Sequence, residues 1–204
     1  MIRSGWRGAS ILPIIGAKRI PLPGELMVKS LKIERLSKDA FAAFGTVIEA
    51  AGAVEIAINQ GTTSRFHALC NVDVATGGGQ PIISLFRGTR RPDPIEIRLM
   101  ERHPLGSQSF MPLSEHDWLV VVAPTNADDS GPDFDGLRVF RASGNQGVSY
   151  SRNVWHHPLL ILQSQQDFIV IDRAGPDDEN NSANLQEVWS DGVAAVIKPD
   201  LGLA

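Results

Sequence analysis

The chain has 204 residues, 43% of them hydrophobic and 21% charged, with a formal net charge of −4. That length suits one domain with a substantial core, and the slight acidity excludes a general nucleic-acid binder, which needs a dominant basic surface. The single cysteine, Cys70, excludes an internal disulfide framework and any zinc site built on several thiolates, and no apolar run approaches the roughly 18 residues that span a bilayer.

Residues 1–26 stand apart. They carry Arg3, Arg7, Lys18 and Arg19 with no acid before Glu25, and their apolar part, residues 11–17, is broken by Pro13. The stretch reads as a flexible extension upstream of Met27, a plausible native start, in preference to a transit peptide. Residues 27–190 then form the domain, and 191–204 a weakly patterned tail. Residues 31–36 suit a first strand. Ser37 can cap a short helix that places Phe41 and Phe44 on one face, and Gly45 ends it. After Gly45 the chain is strand-like almost throughout: 46–49, 54–58, 82–86, 95–99, 118–123, 137–140 and 168–171 are rich in β-branched and aromatic residues. Gly77-Gly78-Gly79 reads as a hairpin loop, and 133–136 and 143–145 as turns. Residues 127–135 and 175–183 read as solvated loops. Many short strands, few helices and no β-α-β alternation predict an all-β fold, a sandwich or barrel with a short N-terminal helix.

Two stretches are chemically dense. Residues 147–160 read G-V-S-Y-S-R-N-V-W-H-H-P-L-L, and 101–113 read E-R-H-P-L-G-S-Q-S-F-M-P-L. Successive side chains of a strand point to opposite faces, so His156 and His157 cannot share one cavity. A barrel interior receiving one imidazole from each stretch would hold an acid/base or metal site. Alternation favours His156 as the inward ring if Val154 also points inward, and a bulge at Pro158 would reverse it. Other candidates are Asn59, Arg65, Arg87, Ser107, Gln108, Tyr150, Arg152 and Asp172. An arginine at a strand end can clamp a carboxylate bidentately, and Asp172 can hold an imidazole or an arginine. No phosphate loop, dinucleotide fingerprint or nucleophile elbow is present.

These phrases, with R-F-H at 65–67 and I-D-R at 171–173, resemble those of the bacterial ureidoglycolate lyases, formerly called ureidoglycolate hydrolases. The likeness runs in order from about Lys29 to Trp189. It implies a cupin-like β-barrel or jelly roll, a homodimer, a cytoplasmic location and a place in allantoin catabolism, where (S)-ureidoglycolate is split into glyoxylate and urea. The family's association with nickel implies a divalent metal as an option, with His103, Gln108 and His156 or His157 as a sparse ligand set. The chain lacks the full three-histidine, one-glutamate pattern of metal cupins, so no cofactor is required. Release of urea from a hemiaminal needs a base for the hydroxyl proton and an acid for the departing nitrogen, tasks that suit histidine. His103 and one of His156 and His157 are therefore expected to move protons, with Gln108 beside them. Arg87 or Arg65 is expected to hold the carboxylate, and Asn59, Ser107 and Gln108 to read the urea end. Tyr150, Arg152 and Asp172 complete the expected binding set. The alternatives are another, metal-dependent cupin enzyme and a non-enzymatic cupin that binds a small acid.

Overall fold

A computed structural model describes residues 18–20, 28–176 and 183–199. It is all-β with one short helix, as the strand-rich sequence predicts. In chain order the elements are β1 (Lys18–Ile20), β2 (Lys29–Ser30), β3 (Ile33–Arg35), α1 (Lys38–Phe41), β4 (Gly45–Ile48), β5 (Val54–Ile58), β6 (Thr63–His67), β7 (Gln80–Thr89), β8 (Ile95–Ile97) and β9 (Leu99–Arg102). There follow β10 (Gln108–Pro112), β11 (Trp118–Ala123), β12 (Arg138–Ala142), β13 (Gly147–Tyr150), β14 (Trp155–His156), β15 (Leu160–Ile161), β16 (Gln165–Ala174), β17 (Gln186–Ser190) and β18 (Ala195–Ile197).

Two sheets face each other. One runs β1-β17-β9-β14-β11-β12-β3, with β15 also on β11, and the other runs β4-β13-β10-β16-β7. A small third sheet, β2-β18-β8, covers the outside of the first, while among the described residues β5 and β6 pair only with each other. The six residues of β11, W-L-V-V-V-A, show why this layering follows from sequence, because all of them are buried. Trp118, Val120 and Val122 enter the core between the two large sheets with Phe110, Phe140 and Phe168. Leu119, Val121 and Ala123 enter a second core with Ile95, Ile97 and Ile197 under the small sheet. A strand apolar on both faces needs cover on both, and each fully buried Val or Leu is worth about 1.5–3 kcal/mol.

Ser37 caps α1 by accepting a hydrogen bond from the Ala40 N–H at 3.3 Å. The helix is one turn long, but Phe41 and Phe44 still reach the core as a pair. Gly45 does not merely end it: the residue opens β4 at φ +144°, where an added Cβ would lie 2.0 Å from the Ser149 carbonyl oxygen. Only glycine allows that approach. Gly77 to Gly79 are not a hairpin tip, since residues 68–75 form no strand; a 3-10 turn over Thr76–Gly78 leads instead into β7. Both chain ends join the sheets where they are described. Lys18–Ile20, within the stretch expected to be a flexible extension, pairs in parallel with β17, and Ala195–Ile197, within the expected tail, pairs with β2 and β8. The remainder of 1–27, most of the expected loop 175–183 and residues 200–204 lie outside the described residues.

Candidate active site

Strand register builds the site. Glu101 on β9 is the cross-strand partner of His156 on β14, and His156 is also paired with Val122 of the inter-sheet core. Residues directly opposite share a face, so Glu101 and His156 both point between the large sheets. His103 lies two residues beyond Glu101, on the same side of the strand direction, and its ring centroid is 5.2 Å from that of His156. From the facing sheet comes the row Asp172–Gln108–Tyr150, set by the pairing of β10 with β16 and β13. Tyr150 lies flat on His156, with ring centroids 4.1 Å apart and planes 12° from parallel.

The two imidazoles are held differently. His103 is 6% exposed, its Nδ1 lies 2.8 Å from the Asn184 carbonyl oxygen, and its buried Nε2 has no partner. A carbonyl only accepts, so Nδ1 carries the hydrogen and Nε2 presents a lone pair. Burial holds this ring below the ordinary histidine value, with the charge of His156 adding to the effect and Glu101 opposing it. His156 has acceptors at both nitrogens: the Val154 carbonyl at 2.9 Å from Nδ1, and Gln108 Oε1 at 3.3 Å and Glu101 Oε1 at 3.5 Å from Nε2. Burial pushes the Glu101 carboxyl up, but the hydrogen bond and charge of His156, with His103 and His157 behind, bring it net below its ordinary range. Asp172 is raised by burial, and its buried Oδ1 has no partner. Burial and then the Glu101 charge raise the Tyr150 hydroxyl, which therefore stays protonated at neutral pH.

Among the expected site residues, His103, Gln108, Tyr150, His156 and Asp172 converge. His157 does not join them: its Nδ1 lies 2.7 Å from the Pro158 carbonyl oxygen, and burial together with nearby Arg91 lowers it to about 4. Ser107 and Arg152 turn to the chain before β7 instead. Ser107 accepts from the Asp73 N–H at 2.9 Å and donates its own N–H to the Asp73 carbonyl at 2.7 Å, while Arg152 bonds the Asp73 carboxylate at 2.6 Å. Arg87 sits on the outer face of β7, bidentate to Asp167 at 2.8 Å through both contacts. Asn59 and Arg65 lie on the β5–β6 hairpin, exposed, where Asn59 donates to Thr63 Oγ1 at 3.4 Å and Arg65 bonds His67.

Glu101 was absent from the sequence expectation. Its signal was the E-x-H spacing at 101 and 103, since residues two apart on a strand share a face. With Glu101 included, the cluster can hold a cation: ligand atoms of Glu101, His103 and His156 all lie within 4.8 Å of one another. Gln108, the other expected ligand, borders this set, with its Oε1 3.3 Å from His156 Nε2.

Comparison with known proteins bears on what such a cluster does. The family model described as ureidoglycolate lyase matches residues 28–197. A ureidoglycolate lyase of Burkholderia mallei is 50% identical over 163 residues, covering 79% of this chain and 94% of the relative. One from Brucella anthropi is 51% identical over 162 residues, covering 79% and 90%. Ureidoglycolate lyase 1 of Rhizobium meliloti is 50% identical over 174 residues, covering 85% and 96%.

Proposed function

The chain belongs to the ureidoglycolate lyase family, and on that premise we propose that it splits ureidoglycolate into glyoxylate and urea, with His103 as base and His156 as acid. The reading rests on the unlike settings of these two buried rings. His103, neutral and with Nε2 open, takes the hydroxyl proton of the hemiaminal. His156, with acceptors at both nitrogens and the Glu101 carboxylate beside it, delivers a proton to the departing ureido nitrogen. As the O–H bond breaks, its electrons form the glyoxylate carbonyl, and the C–N bond breaks toward urea. No water is consumed. Gln108 and Asp172 supply the polar wall opposite, suited to the amide groups of the urea end.

The fit of a divalent cation is good on one observation: the partnerless buried Nε2 of His103 lies in a three-ligand set with Glu101 and His156. Such an ion, when bound, would supply Lewis acidity toward the substrate's oxygens. It would also occupy the Nε2 lone pair, so base and ligand are exclusive uses of His103. This makes a metal-dependent enzyme the second reading, and chelation separates the two. Cupin-type architecture, a homodimer, a cytoplasmic location and a role in allantoin breakdown accompany the family resemblance and are part of the same proposal.

The test replaces His103 and His156 one at a time with asparagine and follows urea and glyoxylate. Each change is expected to lower kcat by about 10²–10⁴-fold, the usual contribution of a positioned acid or base. Turnover unchanged in both variants would remove the assignment.

A further inference from the structure

Two parts of the described chain have no cover. The first is the β5–β6 hairpin. All five pairs of its ladder are internal, from Val54 with His67 to Ile58 with Thr63. Val54, Ile56 and Phe66 are exposed, at 66%, 38% and 39%. A two-stranded hairpin on its own is marginal in water. A cavity of about 410 Å³ separates its root from the barrel, lined by Lys38, Thr46, Glu49, Val54, His67 and Leu69 among others. The second is β7, a ten-residue strand that among the described residues pairs only with β16. Ile83 and Leu85 point outward at 74% and 55% exposed. Ile82 and Phe86, on the inter-sheet face, are still 39% and 37% exposed because the barrel is open beside them. A long apolar edge strand left bare invites pairing, and natural proteins cover it.

The strand β7 also borders the site through its pairing with β16. Ile82 is the cross-strand partner of Asp172, which lies beside Gln108. Asp172 Oδ1 is buried there without a partner. Glu101 adds a second carboxylate to the same interior. The hairpin carries the complementary charge: Arg65 is the cross-strand partner of Ile56, so it shares a face with the exposed Val54 and Ile56. Its guanidinium is bonded to His67 and to no carboxylate among the described contacts.

We propose that a second copy of this chain seats its β5–β6 hairpin against the free edge of β7, and that the partner's hairpin brings Arg65 toward Asp172, beside Ile82 of that edge. The occupant is a second copy because one sequence holds both halves, an apolar arm bearing a cation and an apolar edge beside a carboxylate with one partnerless oxygen. A two-fold pairing then buries each of them twice. Bound to Asp172 on one edge, the guanidinium keeps donors on its other edge for the substrate carboxylate, a division that suits arginine and not lysine. The last step rests on the lyase reading; the docking of arm on edge does not.

The experiment uses two full-length variants with different affinity tags, Arg65→Ala (intact imidazoles, defective arm) and His156→Asn (intact arm, dead site). Each homodimer is expected to be at least 10-fold slower than the unaltered enzyme at low substrate. Heterodimers purified through both tags are expected to recover about half the activity of the unaltered dimer, since one site then has both good imidazoles and a good arm. Heterodimers no faster than the parents, or an Arg65→Ala variant with unchanged KM, would overturn the assignment of Arg65. Replacing residues 55–66 by a short turn tests the docking itself by sedimentation: the expected result is a monomer, and a dimer of unchanged affinity would refute it. If the unaltered protein releases no urea, the lyase reading fails, and sedimentation still decides the docking.

Discussion

The settings of His103, His156 and His157 show how three rings of one type diverge through their neighbours. His103 and His156 were legible in the sequence because polar groups crowd around them in otherwise apolar strands. The parity of β14 settles which of the tandem pair faces inward, and it does so without a bulge at Pro158. Glu101 was missed although the same parity places it beside His103. Arg87 was misread for the converse reason: counting outward from Phe86, whose ring meets Phe110 in the core, puts Arg87 on the outer face. The engagement of Ser107 and Arg152 with Asp73 depends on contacts dozens of residues apart, which no local pattern encodes. His157 makes a prediction of its own. Its burial, with the charge of Arg91 nearby, lowers it to about 4 when folded, against 6.5 when free. The unfolded chain thus binds the proton first, and folding stability falls as pH drops from about 6.5 to 4, by about 3 kcal/mol in all. Urea-melt midpoints of a His157→Gln variant are expected to vary less over that window than those of the unaltered protein. Equal dependence in both would show that the ring is not the titrating group.

At the scale of elements, strands with strong apolar character were readable and polar ones were not. Residues 118–123 and 54–58 were bounded correctly because each is a run of β-branched or apolar residues. Strand β6, T-S-R-F-H, was hidden by its polarity and exists as the pairing partner of β5. Strands β17 and β18 likewise take their form from neighbours already in place. Gly45 marks the tightest element junction, where β4 passes Ser149 of β13. A Gly45→Ala change is expected to cost about 2 kcal/mol or more, from both the 2.0 Å clash and the positive φ. Thermal melting would register a clearly lower Tm; an unchanged Tm would mean that β4 shifts freely. The Ser107–Asp73 pair holds the chain before β7 across the barrel, and Ser107→Ala is expected to cost about 1 kcal/mol and to increase proteolysis between residues 68 and 79.

Over the whole molecule, the all-β barrel followed from composition and turn chemistry, whereas the third sheet and the bare hairpin did not. Those depend on which faces remain uncovered after the two main sheets meet. No helix among the described residues is long and apolar enough to cross a membrane. On the proposed function, one buried cluster, Glu101, His103 and His156, carries the lyase chemistry of the family fold. The most direct measurement is of products from racemic ureidoglycolate, against an enzyme-free control for spontaneous decay, before and after chelation and with the His103→Asn variant alongside. Under the proposed function, urea and glyoxylate are expected in equal amounts from half of the racemate, with persistence after chelation and loss in the variant. Ammonia and carbon dioxide in place of urea, or no product above the control, would contradict it.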